Sequence, residues 1–162
     1  MAPKHPLVGQ PAPALELPCI PEGDLYRLPI GEKPIALFFF PQANTTGCTK
    51  EACAFRDAQT SNITFKRHPD LDVVGISSDS TAKQQSFADQ YKLPYRIISD
   101  AEESARKAYK VDKAFMGLVP GRATFFIDAK GIIRGVCTKN IDFSAHTKFV
   151  EEMLILVEKE DK

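Results

Sequence analysis

Apolar residues along this chain come in short unbroken blocks, and stretches with helical spacing lie between the blocks. Ile35 to Phe40 is a run of six apolar residues, rich in aromatics and too short for a buried helix, so it predicts a fully buried strand. Pro41 ends the run, and Gln42 to Gly47 is polar and turn-forming. From Thr49 onward Lys50, Glu51, Ala52, Ala54 and Arg56 are good helix formers. An apolar stripe through Ala54, Phe55, Ala58 and Ile63 carries that helix to about Phe65, where His68-Pro69-Asp70 closes it. Leu71 to Ser77 predicts a second buried strand, and Asp79-Ser80 caps a helix running to Tyr91. Tyr95 to Ser99 is a further strand, followed by an Asp100-capped helix to about Tyr109.

The two ends of the chain complete the pattern. Pro3, Pro6, Pro11 and Pro13 exclude a helix before Leu15. Leu15 to Leu17 and Leu25 to Leu28 predict short strands around the turn chemistry of Pro21 to Asp24. Phe115 to Gly121 is a loop of unusual apolar content, suited either to packing on the core or to walling a pocket near Cys48. Ala123 to Ile127 and Gly131 to Cys137 form a hairpin around Asp128-Ala129-Lys130-Gly131. His146 to Lys159 carries Phe149, Val150, Met153, Leu154 and Val157 at helical spacing. Strands alternating with helices predict an α/β layer fold with a mixed sheet.

The chemistry gathers where the first buried strand turns into a helix. That junction hands Cys48 to a helix N-terminus, where unpaired backbone N–H groups and the positive end of the dipole favour an anion. Thiols so placed lose their proton more readily, and the thiolate is the nucleophilic form. The alternative is a small core residue that happens to open a helix. Cys53 lies five residues on, which in an α-helix means a rise of ~7.5 Å, a rotation of about 140° and a Cα separation of ~8.6 Å. A disulfide wants roughly 4.4–6.8 Å, so the helix must unwind before the two sulfurs can bond. Spacing alone leaves Cys53 equally readable as such a partner or as an inward-facing core residue.

Pro41-x-x-x-Thr45-x-x-Cys48 resembles the active-site signature of the peroxiredoxins. Gly47-Cys48-Thr49-x-Glu51-Ala52-Cys53-x-Phe55-Arg56-Asp57 is similar to the Q-type, or bacterioferritin comigratory protein, branch. Arg122-x-Thr124-Phe125-x-Ile127-Asp128 resembles that branch's second signature, and the likeness runs from about Val8 to the final helix. One residue departs: Thr46 stands where the family usually has proline, which restores an N–H and frees a φ angle.

The resemblance implies one thioredoxin-like domain over residues 1–162, a central mixed sheet flanked by helices, acting as a thiol-dependent peroxidase on hydrogen peroxide and organic hydroperoxides. It makes Cys48 the peroxidatic nucleophile and Cys53 the resolving thiol. Arg122 would favour the thiolate and bind peroxide oxygens; on its own, an arginine after Pro-Gly reads as a solvated surface residue. Thr45 would offer its hydroxyl to peroxide or thiolate, and Pro41 would shield the sulfur from water. The family's implied reductant is thioredoxin, its cofactor requirement none, and its assembly a monomer. Glu51 reads as a solvated acid of the first helical turn, or as a partner of Arg56 or another cation. Cys19 reads as incidental, and Cys137 as a strand-end structural residue or an alternative resolving thiol.

Composition supports this reading by exclusion. Lys+Arg and Asp+Glu both number 21, so no global charge recruits nucleic acid or an anionic membrane surface. No apolar run approaches the ~20 residues of a membrane span. Met1 to Pro6 lacks an apolar signal core, which leads us to expect a cytoplasmic, or also nuclear, protein. Four cysteines in 162 residues are too few for a disulfide scaffold. A thioredoxin-type oxidoreductase would want Cys-x-x-Cys, and a metal site would want further ligands nearby. A redox-sensing or chaperone-like binding protein is the rival outside enzymology.

Overall fold

Both faces of the central strand are buried, as its unbroken apolar run requires. A computed structural model describes residues 5–21, 23–111, 121–139 and 142–161. In chain order the elements are β1 (Glu16–Ile20), β2 (Leu25–Arg27), β3 (Ile35–Phe39), α1 (Thr46–Ser61), α2 (Ile63–Lys66) and β4 (Asp72–Ser77). They continue as α3 (Thr81–Tyr91), β5 (Arg96–Ser99), α4 (Ser104–Ala108), β6 (Ala123–Ile127), β7 (Ile133–Cys137) and α5 (Ser144–Glu160). Residues 115–120 of the apolar loop lie outside the described residues, so its two readings stand as expectations.

The strands form one sheet in the order β2-β1-β5-β4-β3-β6-β7. β3, β4 and β5 run parallel, while β6 lies antiparallel to β3, and β1 and β7 continue antiparallel at either side. The sheet is mixed and has helices on both faces, which is the thioredoxin-like α/β architecture. Parallel neighbours need crossovers, and α1–α2 and α3 supply them.

Alternation along β3 divides the core in two. Ala36, Phe38 and Phe40 face Ala52, Phe55 and Ala58 of α1 and Val150 and Leu154 of α5. Ile35, Leu37 and Phe39 face the other way, toward Leu15, Leu28, Ala105 and Tyr109. The Phe38 and Phe55 rings stack with centroids 4.6 Å apart, so α1 is pinned to the sheet through its middle.

The structure revises several boundaries. α1 begins at Thr46, three residues before the run of strong helix formers, and it stops at Asn62 instead of reaching Phe65. Asn62 adopts an extended conformation, and its Oδ1 accepts from the Thr64 and Phe65 amides, so its side chain competes with the helix and starts a new one, α2. The first strand is Glu16–Ile20, later than the Leu15–Leu17 pattern suggested. Asp100 does cap α4, accepting from the amides of Ala105 and Arg106 at 2.9 and 3.0 Å, although the helix proper starts at Ser104. Among the described residues no helix is long and apolar enough to cross a membrane.

Asn62 also donates from Nδ2 to Glu151 of α5 at 3.2 Å. Asn62→Ala should cost about 1 kcal/mol, the usual worth of an N-cap, read as a lowered urea midpoint at unchanged m-value.

Candidate active site

β3 delivers the chain to one end of the sheet, and the loop that follows is tied down on both sides. The Ala43 amide donates to Asp79 Oδ2 at 2.8 Å, an acid at the end of β4 that also receives the Ser77 hydroxyl. Thr45 is the N-cap residue of α1, in an extended conformation, and its hydroxyl donates to the Gln42 carbonyl at 2.8 Å. The first helical bond of α1 runs from the Thr49 amide to the Thr45 carbonyl at 2.9 Å. The amides of Thr46, Gly47 and Cys48 therefore precede the regular ladder and point out of the helix end. Cys48 sits there, 1% exposed.

Topology brings the positive charge. Because β6 is antiparallel to β3 with Phe39 opposite Ala123, the residue just before β6 lands beside the loop that follows β3. That residue is Arg122, and it is buried, which overturns its reading as a solvated surface side chain. Its Nη2 donates to Cys48 Sγ at 3.4 Å and its Nη1 to Glu51 Oε1 at 2.8 Å. Burial disfavours the guanidinium charge, but Glu51 and then Cys48 outweigh it and hold its pKa above the ordinary arginine value.

Glu51 is the largest departure from expectation. With α1 starting at Thr46 it lies in the second turn, three residues past Cys48 on the same face, and its side chain is fully buried. It pairs with Arg122, not Arg56, whose guanidinium bonds Asp57 and the Tyr91 carbonyl. Burial raises the Glu51 pKa to about 7, against the opposing pull of Arg122. Among the described residues its Oε2 has no hydrogen-bond partner, and it lies 3.3 Å from Nδ1 of the wholly buried His146.

Three contributors carried no clear signal in the pattern. His146 opens the apolar stripe of α5 and looks like one more surface position, yet it bonds Thr124 at 2.7 Å and the Lys139 carbonyl at 2.7 Å. Arg106 sits on the shoulder of the short α4 and donates to the carbonyls of Gly121 (2.8 Å) and Phe40 (3.1 Å). It clasps the end of β3 to the start of β6, and so fixes the distance between the cysteine loop and Arg122. Phe143, just before α5, lays its ring 4.7 Å from the Arg122 guanidinium carbon. The same ring covers Gly47, where an added Cβ would come within 2.4 Å of it.

The remaining thiols differ in setting. All four cysteines are reduced. Cys53 is half-buried on α1, and burial pushes its pKa up, with Arg56 opposing. Cys137 ends β7, half-buried, its pKa also raised by burial. Cys19 is buried in β1. Pro41 is half-buried beside the loop. Among the described residues no cluster of His, Cys, Asp or Glu is arranged to hold a metal.

Known proteins resemble this chain over most of its length. A model of the AhpC/TSA family matches residues 8–136. A relative from Sedum lineare, peroxiredoxin Q, chloroplastic, is 37% identical over 126 residues, 78% of this chain and 64% of its own. A relative of the same description from Triticum aestivum is 37% identical over 70% of this chain and 51% of its own. The chain thus spans between half and two thirds of the length of these curated relatives. Among solved structures, peroxidoxin BcpB from Mycobacterium tuberculosis aligns with a TM-score of 0.80 at 32% identity, covering 93% of this chain and 97% of that one.

Gly47→Ala should destabilise the protein by about 1–3 kcal/mol, because the Phe143 ring must leave its seat. In a Phe143→Ala background the same change should be neutral or stabilising, since alanine is the better helix former. Thermal or urea unfolding of the four variants of this cycle measures the coupling.

Proposed function

The chain belongs to the AhpC/TSA family, and from that premise we propose that it is a Q-type, thiol-dependent peroxidase that reduces hydrogen peroxide and organic hydroperoxides. The observation that carries the proposal is the Arg122 guanidinium 3.4 Å from Cys48 Sγ at the open end of α1. The thiolate is the form that attacks peroxide, and the guanidinium and the outward-facing amides offer donors to the sulfur. The Cys48 thiolate attacks one peroxide oxygen and the O–O bond breaks. The departing oxygen leaves as hydroxide or alkoxide and takes a proton to become water or alcohol. Cys48 is left as a sulfenic acid.

Arg122 serves both ends of this step, since charge moves from the sulfur to the leaving oxygen while the guanidinium faces the path between them. Glu51 and the Phe143 ring keep the guanidinium in that orientation. The amide of Cys48 is a second donor for the developing charge. In our reading Pro41 shields the sulfur from water and the Thr45 hydroxyl meets the substrate. Thr45 now donates to the Gln42 carbonyl, so it meets substrate through its oxygen lone pairs or by turning.

Cys53 resolves the sulfenic acid. Its thiolate attacks Cys48 sulfur, the hydroxyl leaves as water, and a Cys48–Cys53 disulfide forms. Both residues lie within α1, so this needs the first turns of the helix to unwind, a local opening far cheaper than global unfolding. Thiolate exchange with an external dithiol, thioredoxin in our reading, returns both cysteines to thiols. No cofactor is needed, because the electrons come from the thiols.

Three variants in a peroxide-consumption assay with a thioredoxin system test the scheme. Cys48→Ser should abolish turnover, and a fully active Cys48→Ser protein would refute the peroxidase reading. Cys53→Ser should consume one equivalent of peroxide and then stop. Arg122→Lys should lower kcat/KM by roughly 10²–10³-fold, as loss of one directed donor does.

A further inference from the structure

Glu51, the buried acid between the two cysteines, faces a histidine across a gap that the hydrogen-bond pattern leaves one proton short. His146 Nε2 lies 2.7 Å from the Lys139 carbonyl, which can only accept, so Nε2 carries a hydrogen. In the neutral ring Nδ1 then has only a lone pair, which accepts from the Thr124 hydroxyl at 2.7 Å. That single lone pair is already taken, yet Nδ1 also faces Glu51 Oε2 at 3.3 Å, and among the described residues Oε2 has no hydrogen-bond partner. An ionised Oε2 therefore meets a second acceptor and no donor in a dry core, and a proton on the carboxyl or on Nδ1, with the Thr124 hydroxyl turned to accept, removes the repulsion.

We propose that Glu51 and His146 hold one proton between them while α1 is wound, and that the unwinding which joins Cys48 to Cys53 releases it to water. The inference rests on the disulfide cycle given above and makes Glu51 a positioning residue that acts through Arg122. Held as a carboxylic acid, Glu51 keeps its Arg122 contact through Oε1 and leaves the guanidinium charge to the Cys48 sulfur. The released proton is additional to the redox balance, in which Cys48–SOH and Cys53–SH become a disulfide and water. It returns when an external dithiol reduces the bond and α1 rewinds.

Both sites lean toward the neutral pair. Burial lifts Glu51 to about 7 and lowers His146 to about 4, which leaves the proton on the carboxyl in weakly acidic solution. The groups facing the pair come from five elements. They are Cys48 on α1, Arg122 and Thr124 at β6, Cys137 on β7, Tyr95 before β5, and Asp142 before α5, whose negative charge favours protonated His146. Arg122 alone among them stabilises ionised Glu51, and burial outweighs it.

The sign of the pH dependence follows. A solvated glutamate titrates near 4.3. Between that value and about 7 the wound helix binds one proton more than the unwound one. Raising pH through this window therefore favours unwinding and the disulfide, by up to tenfold per pH unit. Below and above the window both states carry the same charge on Glu51, and the effect vanishes.

The test equilibrates the Cys48–Cys53 couple of the full chain against dithiothreitol buffers at half-unit steps from pH 5 to 8. Oxidised fractions of the wild type and Glu51→Gln are read by thiol alkylation and mass spectrometry. Glutamine keeps an oxygen for Arg122 and cannot ionise. The wild-type equilibrium should move nearly tenfold more per pH unit than the variant's between pH 5 and 6.5, and the two should run parallel above pH 7.5. Should Glu51→Gln fail to fold, infrared difference spectra of the wild type at pH 6 decide: a protonated-carboxyl band should vanish on oxidation. Parallel slopes throughout, or an unchanged carboxyl band, with a mapped Cys48–Cys53 link overturn this inference and leave the peroxidase cycle standing. A map without that link overturns both.

Discussion

The arrangement hangs on one guanidinium enclosed between a sulfur and a carboxyl. Arg122 is buried where a bare charge would be costly, and it is tolerated because Glu51, Cys48 and the face of Phe143 surround it. Each of these comes from a different part of the chain. Glu51 and Cys48 share one face of α1, Phe143 leads into α5, and Arg122 itself enters from β6. Placement of the charge thus depends on the antiparallel register of β3 and β6 and on the Arg106 clasp across their ends. The sheet's work, seen from the site, is to hold a charge within reach of a sulfur 74 residues earlier in the chain.

Much of this was legible before any coordinates. The Ile35–Phe40 run, the capped helices around Asp79-Ser80 and Asp100, and the Asp128–Gly131 hairpin turn are local chemistry, and they appear as read, within a few residues at their ends. The residues around Cys48 placed a cysteine at a helix start without tertiary information. Local pattern misleads, or is silent, where tertiary contacts overrule local preference. Glu51, Arg122, Arg106 and His146 are polar residues that would be solvated by any rule of composition, and all four are buried because they satisfy one another or backbone carbonyls. The helix start moved for a similar reason. Thr46 and Gly47 are poor helix formers, but the Phe143 ring on Gly47 holds them in the first turn, with Thr45 in extended conformation at the N-cap position.

That first turn makes demands that pull against each other. In the proposed cycle, attack on peroxide needs α1 wound, because the wound form points its amides and Arg122 at Cys48. The proposed resolution needs it unwound, because the wound form keeps Cys48 and Cys53 ~8.6 Å apart. The ties along the helix differ in kind. Up to Cys53 they are mixed: Arg122 on Glu51, the Tyr95 hydroxyl on the Ala52 carbonyl at 2.7 Å, the Phe143 ring on Gly47, and the small apolar seats of Cys48 and Ala52. From Phe55 onward they are apolar and continuous with the core, through the Phe38 stack and Ala58.

Magnitudes decide where the opening stops. Freeing Phe55 would forfeit several kcal/mol of packing, as truncating a buried phenylalanine does at about 3–5 kcal/mol. A Glu51 left ionised in the core without Arg122 would cost a similar sum. Unwinding avoids that penalty by carrying Glu51 into water, where its charge is solvated, and this is why the acid belongs between the two cysteines and not beyond them. The segment from Thr46 to Cys53 can then open as one unit, hinged before Phe55, with the thiol of Cys53 at the hinge and that of Cys48 on the freed arm. In the proposed cycle a short reach then brings the arm back to the hinge.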